Sequence, residues 1–300
     1  MKILIVGGSG FVGQYLCRFF LEKGHQVIAT GMRPHHTLES ADRFAYVSAD
    51  TTLPGPWQDH VVEVDAIINL AGREIFRYWT EKTKRQIHQS RILTTRNVVM
   101  ALGENQDTIL LNTSAMGYYG NQGDTLLNES SPAGDDFLAH VSMDWEKEAL
   151  QAQAKGVRVA LLRFSVILGK TGGALKKMLP AFKSFAGGPL GAGMQWFSWM
   201  HIKDLAAAVD MILVNKGLHG PFNFCSPHPE RNHKFAKVLG RALGRPAFIK
   251  MPGFVLRLVM GEMGGVMLVS QRCIPDRLQH HGFEFRYPVL EMALEDLLNE

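Results

Sequence analysis

The stretch GGSGFVG, at the start of the chain, sets Gly7, Gly10 and Gly13 three residues apart. That spacing suits a phosphate cradle. The first glycine permits a tight turn and the second lets the backbone approach a pyrophosphate. The third lets a following helix pack closely on its strand, and the helix N-terminus attracts the anion. A glycine triplet also fits a mere packing turn. Its place between an apolar strand-like run, KILIV, and the helically spaced FVGQYLCRFFLEKG favours cofactor binding. Further on, ATGMRP occupies the end of the next strand, where a carboxylate would bind a ribose 2′-hydroxyl. Thr30, Gly31 and Met32 offer none, and Arg33 offers a cation for a 2′-phosphate. The expected cofactor is NADP(H), with Gly31 and Arg33 at its adenosine end. The alternative is that Arg33 is a solvated loop charge.

Other residue sets that could do chemistry are fewer. A strand ending in TSAMGYYG would carry Ser114, Tyr118 and Tyr119 to a cleft outside the sheet, with a tyrosine as candidate acid. A packed aromatic pair at a sheet edge fits the same residues. His201 and Asp204 are three apart, as a cleft-facing pair or as a helix-entry network docking a second lobe. Arg163, on an apolar strand, reads as a paired structural cation. GKTGG, 169–173, resembles a triphosphate loop, but the required earlier glycine is Phe164. No metal is expected: HExxH is absent, and His35-His36 and His280-His281 lack a ligand set.

The elements that must position these groups follow from periodicity. KILIV, QVIAT, FAYVSAD, DAIINLAG, TILLNTSA and VRVALLRFSVIL read as buried strands, alternating with helix-length segments such as EKTKRQIHQSRILTTRNVVMAL. That alternation predicts an α/β fold, a Rossmann-type doubly wound parallel sheet covered on both faces. After residue 168 glycine and proline loops take over and predict a smaller C-terminal lobe. The expected division is a cofactor-binding domain over 1–168, with 197–217 returning to it, and a discontinuous substrate-cleft lobe over 169–300. FVLRLVMGEMGGVMLVS, from Phe254, reads as one packing or interface helix.

Composition narrows the class further. The 300 residues are 46% hydrophobic and 20% charged, with a net charge of +4 spread along the chain. Neither a nucleic-acid nor a membrane-surface footprint is expected from that spread. No uninterrupted apolar run reaches membrane-spanning length, and the apolar start is too short for a signal peptide. Cys17, Cys225 and Cys273 are odd in number without CxxC spacing, which suits buried thiols of a cytoplasmic protein.

Taken together, GGSGFVG, NLAG (69–72), TSAMGYYG, LLRFSVILG and GGPLGAGMQWFSWMHIKDL followed by GPFNFCSP resemble the extended short-chain dehydrogenase/reductase superfamily. More narrowly, they are similar to its atypical, epimerase-like YfcH-type branch, whose small C-terminal domain of unknown function resembles the tail here. The resemblance implies that Gly7, Gly10, Phe11 and Val12 meet the pyrophosphate and that Leu70 and Ala71 line the cofactor path. It also implies that Arg91 and Val166 lie towards the cofactor. The wider superfamily uses a tyrosine to move a proton and a lysine four residues later to lower its pKa, with a serine orienting the substrate. With Glu146 as register mark, those two positions fall on Leu138 and Ser142, and a leucine cannot move a proton. The orienting serine is Ser114 or, aligned on the final YG, its place is held by Ala115. His140 lies about 200° around the helix from residue 138 and should face away. Tyr78 and Lys82 of YWTEK have the spacing but precede the serine strand, against the family order.

The expectation is an NADP(H)-binding oxidoreductase or sugar-nucleotide epimerase-like enzyme without the usual pair, acting on a small polar substrate, with a nucleotide-linked one among the forms open to it. The competing expectation is a non-catalytic protein that senses the cofactor. A homodimer is among the assemblies open to it.

Overall fold

The computed structural model describes residues 1–38, 41–104 and 107–299. Five strands come first: β1 (Lys2–Val6), β2 (Gln26–Gly31), β3 (Phe44–Ser48), β4 (Ala66–Asn69) and β5 (Ile109–Ala115). Two long helices, α1 (Phe11–Glu22) and α2 (Glu81–Ala101), connect them. A two-residue strand β6 (Leu126–Leu127) leads to helix α3 (Phe137–Leu150), strand β7 (Arg158–Phe164) and strand β8 (Val166–Leu168). Helix α4 (Gly173–Lys183), strands β9 (Trp196–Phe197) and β10 (Trp199–His201), helix α5 (Ile202–Val214) and strand β11 (Gly220–Phe224) follow. The chain then forms β12 (Glu230–Arg231), α6 (Asn232–Ala242), α7 (Gly253–Met260), α8 (Glu262–Val266), β13 (Arg272–Cys273), α9 (Asp276–His280) and α10 (Leu290–Asn299).

Seven strands make one parallel sheet in the order β11-β7-β5-β4-β1-β2-β3. Its strands are apolar on both faces, as a doubly covered sheet requires. Ile3 and Ile5 of β1 enter a core with Leu16 and Phe20 of α1 and Leu205 and Val209 of α5. Leu4 and Val6, pointing oppositely, enter a second core with Val98 and Val99 of α2 and Ala149 of α3. The strand order reverses at β1 and β4, and their last residues are in register, Val6 opposite Asn69. A crevice at that reversal is where a doubly wound sheet binds its ligand.

Two boundaries differ from those read in the sequence. Not only α5 returns to the sheet: β11 also adds to β7, so the sheet-forming part runs to residue 224. Phe222 and Phe224, both fully buried, supply the packing that holds it there. The run 157–168 is not one strand but two. Ser165 breaks it, its backbone N–H (3.1 Å) and Oγ (2.7 Å) both donating to the Phe224 carbonyl. The chain then turns out of the sheet, and β8 pairs with β10.

The C-terminal lobe packs α4, α6 and α10 around Leu175, Phe235, Leu239, Leu290 and Leu294. It is tied to the sheet domain by β13, which runs beside β6. The apolar stretch from Phe254 is not one helix either. Gly261, at φ +60°, ends α7 and redirects the chain into α8.

Candidate functional site

The glycine loop between β1 and α1 leaves no room for side chains. Gly7 has φ +84°, and a Cβ there would lie 3.0 Å from the Ala71 nitrogen. At Gly13 a Cβ would lie 2.5 Å from the Gly7 carbonyl oxygen, so the helix sits directly on the loop. Gly10 caps α1, and its N–H donates to the Gly7 carbonyl at 3.0 Å. Beside this loop runs NLAG. Asn69 is buried, its amide donating to Thr95 Oγ1 (2.9 Å) and Asn112 Oδ1 (2.7 Å), while its oxygen accepts from the Ala71 N–H (3.2 Å). At the end of β2, a Cβ on Gly31 would fall 2.2 Å from Ser9 Oγ. Arg33 beyond it is exposed, its carbonyl held by the Tyr46 hydroxyl at 2.7 Å.

A cleft of about 470 Å³ opens at the carboxyl ends of the strands. Phe11, Leu70, Arg91 and Val166 line it, whereas Gly7, Gly10, Val12, Gly13, Gly31, Arg33 and Ala71 are not part of its lining. Phe11 explains GKTGG. Its ring covers Gly169, Gly172 and Gly173, where any Cβ would lie 2.5, 2.4 and 2.9 Å from it. Those glycines make room for an aromatic ring rather than a phosphate. Arg91 donates from Nη1 to the Ile87 (2.9 Å) and Arg73 (3.2 Å) carbonyls and faces the Trp145 ring at 5.1 Å. Desolvation pushes its guanidinium down to about 10.

The positions aligned with the missing tyrosine and lysine do line the cleft. Asp136 caps α3 through the Ala139 N–H (2.9 Å), and Leu138 and Ser142 face the cleft one turn apart. Ser142 Oγ donates to the Leu138 carbonyl at 2.8 Å. His140 is exposed and near Asp135, away from the cleft, as its angle around the helix predicts. Tyr78 is exposed against Gly261, and its loop reaches the cleft through Ile75 and Phe76 instead.

Ser114 lies at the cleft as expected, whereas Tyr118 and Tyr119 require a correction. Ser114 borders the cleft, but its Oγ donates inward to Glu146 Oε1 at 2.6 Å. Tyr118 and Tyr119 lie outside the lining altogether. The short helical turn at Met116–Tyr119 carries Tyr119 behind the strand ends, where it is fully buried. Its hydroxyl donates to Asn223 Oδ1 (2.7 Å) and accepts from Arg163 Nη1 (2.9 Å). Burial pushes this phenol well above its ordinary pKa. Arg163 grips Glu146 with two bonds, 2.8 and 2.9 Å, and its guanidinium carbon lies 3.6 Å from the Tyr118 ring centre. Burial opposes that charge, yet Glu146 holds Arg163 above its usual value. This is a structural knot joining β5, β7, β11 and α3.

His201 and Asp204 form two separate docking contacts. His201 caps α5, stacks on Tyr287 at 3.9 Å, and has Nε2 3.2 Å from Asp296. Asp204 accepts from the Arg286 and Tyr287 N–H groups, both at 3.0 Å.

The far wall of the cleft carries residues that sequence reasoning missed. Met263, Val266 and Met267 come from α8 and its exit, anchored by Trp79 and by a 2.6 Å Lys84–Glu262 ion pair. Gln271 reaches over from beside β13 and donates to the Met116 (2.8 Å) and Gly120 (3.0 Å) carbonyls. Thr113 is buried at the cleft, and its Oγ1 has no hydrogen-bond partner among the described residues. Only its place at the end of a buried strand could have signalled it. Among the described residues no group of His, Cys, Asp or Glu could hold a metal, and no helix is long and apolar enough to cross a membrane. Cys17, Cys225 and Cys273 are buried and unpaired.

Comparison with known proteins agrees with this geometry. The model of the NAD dependent epimerase/dehydratase family matches residues 3–225, and a domain of unknown function, DUF1731, matches residues 251–297. Epimerase family protein SDR39U1 homolog, chloroplastic, of Arabidopsis thaliana is 36% identical, covering 99% of this chain and 87% of its own. Epimerase family protein YfhF of Bacillus subtilis is also 36% identical, covering 99% and 98%. The crystal structure of human epimerase family protein SDR39U1 (isoform 2) with NADPH superposes at TM-score 0.88 over all of both chains, with 31% identity. UDP-glucuronic acid 4-epimerase from Bacillus cereus, in complex with UDP-glucuronic acid and NAD, covers all of this chain and 98% of its own. At TM-score 0.82 and 15% identity, that likeness is one of fold alone. With its glycine loop, parallel sheet and C-terminal domain all matched, the chain belongs to the NAD dependent epimerase/dehydratase family.

Proposed function

We propose that this chain binds NADP(H) at the carboxyl edge of the sheet and acts as an oxidoreductase or epimerase-like enzyme without the tyrosine and lysine pair. The observation that carries the reading is the glycine loop: Cβ atoms at Gly7 and Gly13 would strike the Ala71 and Gly7 backbones, so α1 seats tightly on the strand end, and Gly10 leaves its N-terminus bare for a pyrophosphate. The human relative at 31% identity, solved with NADPH, supports the same cofactor. Gly7, Gly10, Phe11, Val12 and Gly13 would hold the pyrophosphate at the α1 N-terminus. Gly31 and Arg33 would take the adenosine end, where Thr30, Gly31 and Met32 bring no carboxylate against a 2′-phosphate. Leu70, Ala71, Arg91 and Val166 would flank the remainder, and Leu70, Arg91 and Val166 line the cleft. Bound NADPH would supply a hydride.

The chain's own contribution is orientation and exclusion of water by apolar walls. Leu138 and Ser142 bring no phenol or ammonium to the cleft, and Asp136, the one carboxylate lining it among the described residues, is engaged by the α3 cap. With neither a phenol nor an ammonium at positions 138 and 142, a proton accompanying hydride transfer would have to come from solvent at the cleft mouth. Unpaired thiols suit a reducing compartment such as the cytoplasm.

Leu138 also favours a second reading, a cofactor-binding protein that senses NADP(H) without turnover. Fluorescence titration with NADPH and NADH tests the shared part, and tighter NADH binding would sink it. Loss of 340 nm absorbance on adding a carbonyl panel, or isomerisation of sugar nucleotides, separates the two readings. Silence in both assays with NADPH bound would leave the sensing reading standing.

A further inference from the structure

We infer that the substrate half of the cleft receives an uncharged, mainly apolar alcohol or carbonyl compound rather than a nucleoside-diphosphate sugar. The inference rests on the proposed cofactor position, which assigns the Phe11, Leu70 and Arg91 side to NADP(H). Leu138, Val141, Met178, Phe197, Val266 and Met267 supply the apolar part of the remaining lining.

Charge decides the ligand class. Among the described residues, Arg91 and Asp136 are the only charged ones lining the cleft. Arg91 is on the cofactor side, against Gly72, where a Cβ would lie 3.1 Å from its guanidinium carbon. Asp136 would repel a phosphate. A pyrophosphate entering the other half would meet no cation, and an unpaired charge in apolar surroundings is strongly disfavoured.

The polar groups of that half point the same way. The amide nitrogens of Gln195 and Gln271, which could donate to an anion, are engaged by the Leu190 carbonyl (3.1 Å) and by the Met116 and Gly120 carbonyls (2.8 and 3.0 Å). Their oxygens are left as acceptors, suited to a hydroxyl and unsuited to a phosphate. Asn232 accepts from the Leu190 N–H through Oδ1 at 2.8 Å, which leaves its Nδ2 as a donor to a carbonyl or hydroxyl oxygen. One oxygen on an apolar body satisfies this set.

The test uses the full chain saturated with NADPH, with saturation followed by cofactor fluorescence. N-phenyl-1-naphthylamine, an uncharged apolar fluorophore, and UDP-glucose are then titrated separately. The fluorophore should bind at one site, and millimolar UDP-glucose should neither give calorimetric heat nor displace it. Val266→Lys should weaken the fluorophore about tenfold or more. Should that variant misfold by circular dichroism, Met267→Gln replaces it, with a smaller loss expected. UDP-glucose binding to the loaded protein, or unchanged fluorophore binding in a folded variant, overturns the inference. Failure of NADPH to bind refutes the proposed function instead, and the fluorophore and UDP-glucose titrations of the cofactor-free protein then decide the ligand class.

Discussion

Gly13 and Arg33 sit at opposite ends of the proposed cofactor track, and their substitutions should fail differently. Gly13→Ala sets a methyl 2.5 Å from a backbone oxygen that has no flexible side chain to yield. NADPH affinity should fall with the loop's shape, and the melting temperature should fall with it. Arg33→Asp leaves the fold alone, because Arg33 is exposed and contributes only a carbonyl to the Tyr46 hydroxyl. It should weaken NADPH by about tenfold or more, the value of a lost charge-assisted bond, and improve NADH relative to it. An unchanged NADPH to NADH ratio in the titration would make Arg33 a solvated loop charge. The glycines were legible because steric demands on a backbone act within a few residues. Tyr119 was not, because one short helical turn after β5 decides whether a ring enters the cleft or the knot behind it.

At the scale of elements, the knot of Arg163 and Glu146 fastens α3 to the sheet and thereby fixes where Leu138 and Ser142 face. Arg163→Met strands a buried carboxylate and should cost about 3–5 kcal/mol in denaturant unfolding. Replacing both partners by apolar residues should recover much of that loss. A second fastening is titratable. Burial opposes ionisation of Asp296, but Lys203 (2.8 Å) and the Tyr287 hydroxyl (2.5 Å) hold its carboxyl below the usual carboxylate value. A depressed folded pKa gives stability that is present above the unfolded value of about 3.9 and lost as pH falls through the folded one. Asp296→Asn should therefore lower the melting temperature at pH 7, and the difference from wild type should shrink as pH falls through the folded value. Asp204 works in the opposite sense, since burial raises its carboxyl despite two backbone N–H bonds. The strands and long helices were readable because burial on two faces writes continuous apolar runs. The break at Ser165 was not, because it depends on β11, far along the chain.

At the scale of the molecule, the cleft is made by segments distant in sequence. Ending the chain after Phe285 would remove Tyr287 and Asp296 from His201 and Asp204, and Leu290, Leu294 and Leu297 from the C-terminal core. That truncation should lose near-ultraviolet dichroism from the lobe and bind NADPH more weakly, as the cleft loses its support. The sheet order followed from strand and helix alternation, but the far wall of the cleft did not, because no periodicity records which loops meet across a crevice. One such meeting has a consequence in time. Ser270 N–H donates to Asn121 Oδ1 at 3.0 Å across 149 residues, and Gln271 and β13 continue the contact. A ribosome adding about 5–20 residues each second leaves the loop after β5 waiting roughly 7–30 s for its partner. Through that interval the nascent chain holds a nearly finished sheet beside an open apolar trough, the form in which a chaperone would meet it.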